Sequence, residues 1–341
     1  MSQRWPGGLI KPTPITPTGP YQDGSASGVW TLDQMEYWLQ QGLWPIAGNV
    51  APRGLFGGGY TTVAINVIQY ITIASTGNAI DFGDLSQAKE AMASFASSTR
   101  GVFAGGIPTT GYTNVIEYVT IVSAGNVTDF GDLLVNNRYA AGCNSSTRGI
   151  YAGGEDQGPG STNTIQYVTI ASTGNATDFG DLINNIAFNA ACSSPTRSLI
   201  VGGGAGAVRY NVISYVTTAT TGNATDFGDL LAAITQPGAC SSSTRAVIGG
   251  GYTGSNSNVI QYVTISTTGD ATDFGDLLAA TYSLAACSSP TLAVFGGGYI
   301  GTGTNVIQYV TISTVGNATD FGDLLAATYS LTACSNGNGG L

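Results

Sequence analysis

The stretch Asn175-Ala-Thr-Asp-Phe-Gly-Asp-Leu182 occurs six times with small edits; the other copies are Asn78–Leu85, Asn126–Leu133, Asn223–Leu230, Asp270–Leu277 and Asn317–Leu324. Standing alone, it would offer an N-x-T glycosylation sequon or the D-F-G triplet that holds magnesium in protein kinases. Repetition changes the reading. The phenylalanines Phe82, Phe130, Phe179, Phe227, Phe274 and Phe321 are spaced 48, 49, 48, 47 and 47 residues apart. A period near 47 with glycine-stopped strand segments belongs with β-propeller repeats. HEAT repeats have a similar period, but they need paired amphipathic helices that the pattern lacks.

Each unit divides into four strand-like segments. In the third these are Ala190-Ala-Cys-Ser-Ser, Arg197–Gly204, the β-branched and aromatic Asn211–Thr218, and Asn223–Leu230. The third segment scarcely alternates, as expected of a strand with both sheet faces covered. The repeats begin at Arg53-Gly-Leu-Phe-Gly-Gly-Gly59, a second strand with no first, and end at Tyr329-Ser-Leu-Thr-Ala-Cys334, a first strand with no second. The two ends together complete one blade. The expected fold is therefore all-β, a six-bladed kelch-like β-propeller over residues 51–341, closed by the C-terminal strand. In it the repeated Phe fills the space between blades. Each repeat Gly permits a tight bend, and the flanking Asp residues accept backbone N–H bonds there. The kinase reading fails, because no glycine-rich phosphate loop, catalytic lysine or H-R-D is present. The sequons read as turns.

Composition narrows the function. Only 9% of residues are charged, the net charge is −10, and 50 of 341 residues are glycine. That balance argues against binding nucleic acid through its phosphates. No run of 18 apolar residues occurs and the N-terminus lacks a signal-peptide core, so a soluble chain with no membrane insertion is expected. Histidine is absent. Most hydrolase and metalloenzyme mechanisms lose their usual base and ligand with it. No cofactor and no metal is expected.

Cys143, Cys192, Cys240, Cys287 and Cys334 occupy one repeat column, with Phe95 in the sixth unit. They read as small buried hydrophobes on the innermost strands, too far apart to bridge. A thiol ring holding a soft metal is the alternative. Arg53, Arg100, Arg148, Arg197 and Arg245 form a second column, with Leu292 in the sixth unit, and are expected to pair with repeat aspartates; a central anion site is the alternative. Aspartate pairs such as Asp226 and Asp229 lack the spacing of calcium loops.

In an up-and-down blade, the 1–2 and 3–4 loops share one face. The 2–3 loops and the 4–1 links share the other. The first set hardly changes between repeats, whereas the second varies freely, as in YTTVAI from Tyr60, EDQGPGST from Glu155 and AGAVRY from Ala205. Rigidly held variable loops are where binding usually sits. The candidate ligand-binding residues are Tyr60, Tyr112, Glu155, Asp156, Arg209, Tyr210, Tyr252 and Tyr299; drift in unconstrained loops would give the same variability.

Residues 1–50 are different material. They hold all four tryptophans, Trp5, Trp30, Trp38 and Trp44, and six of the twelve prolines. A helix is expected at about 32–41, with Thr31 as N-cap and Gln34 completing a capping box. Such an arm cannot form its own core, so its tryptophans must bury against the ring or against another protein. A partner is the expected anchor, because a closed ring needs no lid.

The TRGVFAGG-like strands followed by NVIQYVTI and NATDFGDL resemble kelch-like propeller repeats of tailed phages, especially those infecting marine bacteria. Trp5-Pro-Gly-Gly, Pro14–Tyr21, Ser25–Leu32 and Gly42-Leu-Trp-Pro45 resemble the N-terminal segment shared by virion proteins of such phages. The fourth strand departs from ordinary kelch repeats in carrying Phe rather than Trp. The resemblance implies a non-enzymatic virion protein, assembled in the host cytoplasm. Residues 1–50 would dock it to capsid or tail proteins and the propeller would face outward, as in a tail fibre, for a host surface glycan or protein. A capsid decoration or head fibre with no specific ligand is the alternative. A glycan depolymerase would need two acids outside the repeat pattern facing one pocket, and Glu155 with Asp156, or Lys89 with Glu90, gives that little support.

Overall fold

The eight-residue repeat recurs as an edge strand in a computed structural model that describes residues 51–158 and 160–337. Those residues are all-β, and no helix occurs among them. The helix expected near 32–41 lies outside the described residues.

In chain order the strands are β1 (Arg53–Gly57), β2 (Val67–Thr72), β3 (Ile80–Asp84), β4 (Ala93–Ala96), β5 (Arg100–Ala104), β6 (Thr113–Thr120) and β7 (Thr128–Arg138). Next come β8 (Ala141–Asn144), β9 (Arg148–Ala152), the short β10 (Glu155–Asp156), β11 (Gly160–Thr169) and β12 (Thr177–Ile186). They are followed by β13 (Ala190–Ser193), β14 (Arg197–Val201), β15 (Gly204–Ala205), β16 (Val208–Arg209), β17 (Val212–Thr217) and β18 (Thr225–Asp229). The rest are β19 (Gly238–Ser241), β20 (Arg245–Gly249), β21 (Val259–Thr264), β22 (Thr272–Asp276), β23 (Ala285–Ser288), β24 (Leu292–Gly296), β25 (Val306–Thr311), β26 (Thr319–Asp323) and β27 (Thr332–Ser335).

The sheets have a propeller-like arrangement. Four of them are four-stranded and antiparallel: β27–β1–β2–β3, β13–β14–β17–β18, β19–β20–β21–β22 and β23–β24–β25–β26. The strands from β4 to β12 form one nine-stranded sheet, in which β10 pairs with both β7 and β11. Through β10 a β4–β5–β6–β7 run is joined to a β8–β9–β11–β12 run. The join was not expected, and it has a local cause. β7 extends into its inter-repeat link, where Arg138 Nε and Asn137 Nδ2 reach Glu155 and Asp156 of β10 at 3.0 and 2.6 Å.

Closure follows the expected register. β27 pairs with β1, with Cys334 opposite Leu55 and Ala333 opposite Phe56, and Asn336 Oδ1 accepts the Arg53 N–H at 2.7 Å. The short strands β4, β8, β13, β19, β23 and β27 pack side by side in that order, and β27 returns to β4.

The apolar core is divided among the junctions between successive repeats. Phe227 and Leu230, for example, cluster with Ala246, Ile248, Val263 and Ile265 of the following repeat, and Phe321 and Leu324 cluster with Phe56, Ile71 and Ile73 of the first repeat. The repeated Phe thus fills the gap between sheets as expected, and within its own sheet it meets a strand tyrosine edge-on, as Phe82 meets Tyr70 at 5.9 Å.

The other residues of the motif act across the same junction, and here two expectations are corrected. The aspartate side chains do not receive the local N–H groups. Instead the Asp N–H donates to the sequon Asn of the following repeat, as Asp84 does to Asn126 Oδ1 at 3.0 Å. Gly125 N–H donates to the Phe82 carbonyl at 2.8 Å and Val127 N–H to the Asp84 carbonyl at 3.0 Å. Each Gly-Asn-x segment therefore covers the edge strand of the preceding repeat, an edge that would otherwise invite aggregation. The motif glycine makes no tight bend. Gly83 lies beside a β-bulge at positive φ, and a Cβ there would overlap the Gly125 carbonyl.

The arginine column also differs from expectation, since none of its five members is paired with an aspartate in the described residues. Each guanidinium lies over the tyrosine of its own third strand, from 4.3 Å for Arg245 over Tyr262 to 4.8 Å for Arg197 over Tyr215. Each also donates from Nη1 to a backbone carbonyl of the following repeat, as Arg53 does to Ile121 at 2.8 Å. The carbonyls end their strands without a ladder partner, and a planar cation with several donors satisfies them while stacking.

Candidate functional site

The 2–3 loops and the 4–1 links meet residue by residue on one face. Glu90 bridges Ile107, Ala187 bridges Gly204, Thr235 bridges Tyr252, Tyr282 bridges Tyr299, and Tyr60 bridges Tyr329. The loops expected to vary together are thereby one continuous surface.

A ring of backbone hydrogen bonds underlies it. Ala91, Tyr139, Phe188, Gln236, Ser283 and Ser330, one from each link, have φ between 53° and 59°. The N–H of each donates to the carbonyl of the one before it, Tyr139 to Ala91 at 2.9 Å and onward, and Ala91 donates to Ser330 at 2.9 Å to close the circle. Left-handed backbone is sparsely populated for such residues, so the circle of bonds holds the links in a conformation they would not adopt alone.

Seven of the eight expected binding residues fall into two groups with residues the sequence did not single out. In the first, Arg209 lies over Tyr252 at 5.5 Å. Ring centroids then run Tyr252–Tyr282 at 5.6 Å, Tyr282–Tyr299 at 5.3 Å, Tyr299–Tyr329 at 5.2 Å and Tyr329–Tyr60 at 5.4 Å. Tyr282 and Tyr329 come from the links. Their signal was present in the sequence as Ala-Thr-Tyr-Ser in two successive links. All five rings are half-buried, and burial pushes the Tyr282 and Tyr329 phenols up, so both are neutral near pH 7.

The second group is charged. Arg138 lies over Tyr112 at 4.3 Å and Tyr139 at 4.8 Å and forms an ion pair with Glu155 at 2.8 Å, while Asp156 accepts from Asn137. Tyr139 stacks on Phe188 at 4.1 Å. Burial, with Glu90 adding to it, pushes the Tyr139 phenol up to about 12. Glu90 lies between the groups and bonds Ser330; burial raises its carboxyl, against the opposing pull of Arg138 and that bond. Tyr210 joins neither group. It packs against the Ile186 and Leu182 cluster beside a cavity of about 10 Å³. Trp5, Trp30, Trp38 and Trp44 lie outside the described residues.

The axis carries a second concavity, of about 60 Å³, lined by the innermost strands with their cysteines and serines. All five cysteines are free and buried, as the column suggested. Burial pushes Cys143, Cys240 and Cys334 up to about 12, and Cys192 and Cys287 well above their ordinary value. Each cysteine of the column packs within a junction cluster, Cys192 with Leu199 and Phe227 for example, as a small buried hydrophobe does. The serines beside it tie one inner strand to the next: Ser193 Oγ donates to the Asn144 carbonyl at 2.6 Å and Ser335 Oγ to the Ser288 carbonyl at 2.6 Å.

The link-and-loop face can stack and hydrogen-bond a ligand. Its acids are already engaged, Glu155 by Arg138 and Asp156 by Asn137. No protein-family model matches the chain, and no curated protein matches it in sequence.

Proposed function

We propose that the protein is a non-enzymatic adhesin of a tailed-phage particle: residues 1–50 dock it, and residues 51–341 form a six-bladed propeller that recognises a host surface molecule. The observation that carries the binding half is the interlock of the 2–3 loops with the 4–1 links into one tyrosine-rich surface over a closed ring of backbone bonds. Loops that merely drift have no reason to converge on a shared aromatic cluster held rigid from beneath. Six blades are supported by the six repeats, the six junction clusters and the circular order of the inner strands. Docking through the arm, and the particle itself, rest on the resemblance of the N-terminal motifs. The engaged state of Glu155 and Asp156 favours binding over hydrolysis.

Labelled full-length protein incubated with cells of a susceptible strain tests the reading. Saturable binding that competes with particle adsorption supports it. Efficient incorporation into particles without cell binding supports passive decoration instead, and absence from particles removes the phage assignment.

A further inference from the structure

The link-and-loop face is not uniform. Lys89, Glu90, Arg138, Glu155, Asp156 and Arg209 all belong to its links and loops between residues 86 and 210. The remaining segments, 58–66, 230–238, 250–258, 277–285, 297–305 and 324–332, contain no charged residue. The tyrosine arc from Tyr252 to Tyr60 is built from this uncharged half. It is also the part of the face that repeats itself. Tyr60, Tyr252 and Tyr299 hold one position in three loops, and Tyr282 and Tyr329 hold one position in two links.

The arc is rigid, partly exposed and rich in unused hydrogen-bonding groups. Tyr282 and Tyr299 exchange backbone bonds at 2.8 and 3.2 Å, Tyr60 N–H donates to the Tyr329 carbonyl at 2.8 Å, and Asn256 Nδ2 donates to the Tyr299 carbonyl at 3.3 Å. Among the described residues the five phenol hydroxyls make no hydrogen bond. Thr62, Ser255 and Thr302 stand exposed beside the rings. A surface of this kind presents aromatic faces, neutral donors and neutral acceptors at a regular interval.

We propose that the arc Tyr252–Tyr282–Tyr299–Tyr329–Tyr60 binds an uncharged polysaccharide with a repeating unit. The inference rests on the reading of this face as a recognition surface and names its ligand class. Pyranose rings carry C–H groups on one side that pack on the electron-rich faces of aromatic rings, and their hydroxyls take neutral partners. Repeated tyrosines suit a repeated ligand. An anionic glycan would bury its charge on this half of the face with no cation to meet it beyond Arg209 at one end.

Affinity electrophoresis of the full chain through gels containing laminarin, mannan, dextran or starch, with alginate and heparin as anionic counterparts, tests the inference. At least one neutral polymer is expected to retard the protein and the anionic ones are not. Tyr299→Ala should weaken that retardation roughly tenfold in apparent affinity, and Tyr299→Trp, which keeps a stacking face, should retain most of it. Three outcomes each overturn the inference: no retardation by any neutral polymer, retardation by the anionic ones alone, or retardation unchanged by Tyr299→Ala. Host-cell binding that persists while every neutral polymer fails leaves the recognition face standing and removes only the saccharide.

Discussion

Asn78 Oδ1 accepts the backbone N–H of Asp323 at 3.1 Å, joining the first copy of the repeated octapeptide to the last across 245 residues of chain. The same bond, at 3.0 to 3.1 Å, links each of the other copies to the one before it. The sequon asparagine recurs because each repeat must cap its neighbour, and in one repeat an aspartate, Asp270, does so equally well. Replacing Asn78 with Ala removes the acceptor at an exposed bond and is expected to cost about 1 kcal/mol, whereas Asn78→Asp should cost a few tenths. Urea unfolding of the two variants separates them; equal losses would show that the side-chain oxygen contributes nothing.

Leu292 stands where the other repeats have the stacked arginine, with Tyr309 packed against its cluster. The carbonyl of Ile73 ends the facing strand, as Ile121 does opposite Arg53. Leu292→Arg should therefore install the missing clamp and raise stability by about 0.5–1 kcal/mol, the usual range for an exposed cation–π contact with its bond. A lower melting temperature than the parent would mean that the column is tuned to its leucine.

One ion pair is deeply buried. Lys89 Nζ lies 2.6 Å from Glu117 Oε1 with both side chains almost wholly inaccessible, and Glu117 Oε2 also accepts the Ser86 N–H. Later repeats solve the same junction with Thr281 and Gln308, whose Oε1 accepts the Leu278 N–H at 2.7 Å. Glu117→Gln alone strands the lysine and should cost about 3–5 kcal/mol, while Lys89→Thr with Glu117→Gln should lie close to the parent. Calorimetric melting of the single and double variants decides it; an equally damaged double variant would show that the junction depends on charge.

The buried cysteines are expected to lower the stability of the fold at alkaline pH. Their folded-state values exceed the ordinary thiol value of 9.0, so above that point the unfolded chain releases protons that the folded chain keeps. Stability is fully present below about pH 9 and falls as pH rises toward 12, by up to about 1.4 kcal/mol per pH unit for each thiol. Tyr139, raised to about 12 from 10.0, acts in the same direction. Melting temperature should decline steadily from pH 9 to 11 and be flat from 7 to 8.5. A thiol reagent at pH 8 should label none of the five until the chain unfolds; rapid labelling of the native protein would place the cysteines at the surface.

Much of the architecture was legible because the chain compares itself with itself. The unpaired second strand at Arg53 and the unpaired first strand at Thr332 foretold the β1–β27 pairing, and the apolar Phe column foretold the junction clusters. What a sequence does not display is which backbone groups are left without partners. The arginines were misread for that reason: their targets are the carbonyls of Ile121, Ile170, Ile265 and their equivalents, which carry no side-chain signature. The motif aspartates were misread likewise, since it is their N–H groups that the next repeat captures. On the link-and-loop face, the comparison of the 2–3 loops found Tyr60, Tyr252 and Tyr299 but passed over Tyr282 and Tyr329, which come from the 4–1 links. Tyr210 was variable for a different reason: it fills part of the space at a junction where Ser214 replaces the usual glutamine.

The central claim is that the link-and-loop face, and not the face of invariant turns, meets the host. Hydrogen-exchange protection of the full chain on isolated envelopes of a susceptible strain measures it directly. Slowed exchange is expected in residues 58–66, 277–285, 297–305 and 324–332, with the Ser-Ser-Thr turns at 97–99, 145–147 and 242–244 unchanged. Protection confined to those turns, or spread evenly over both faces, would contradict the account.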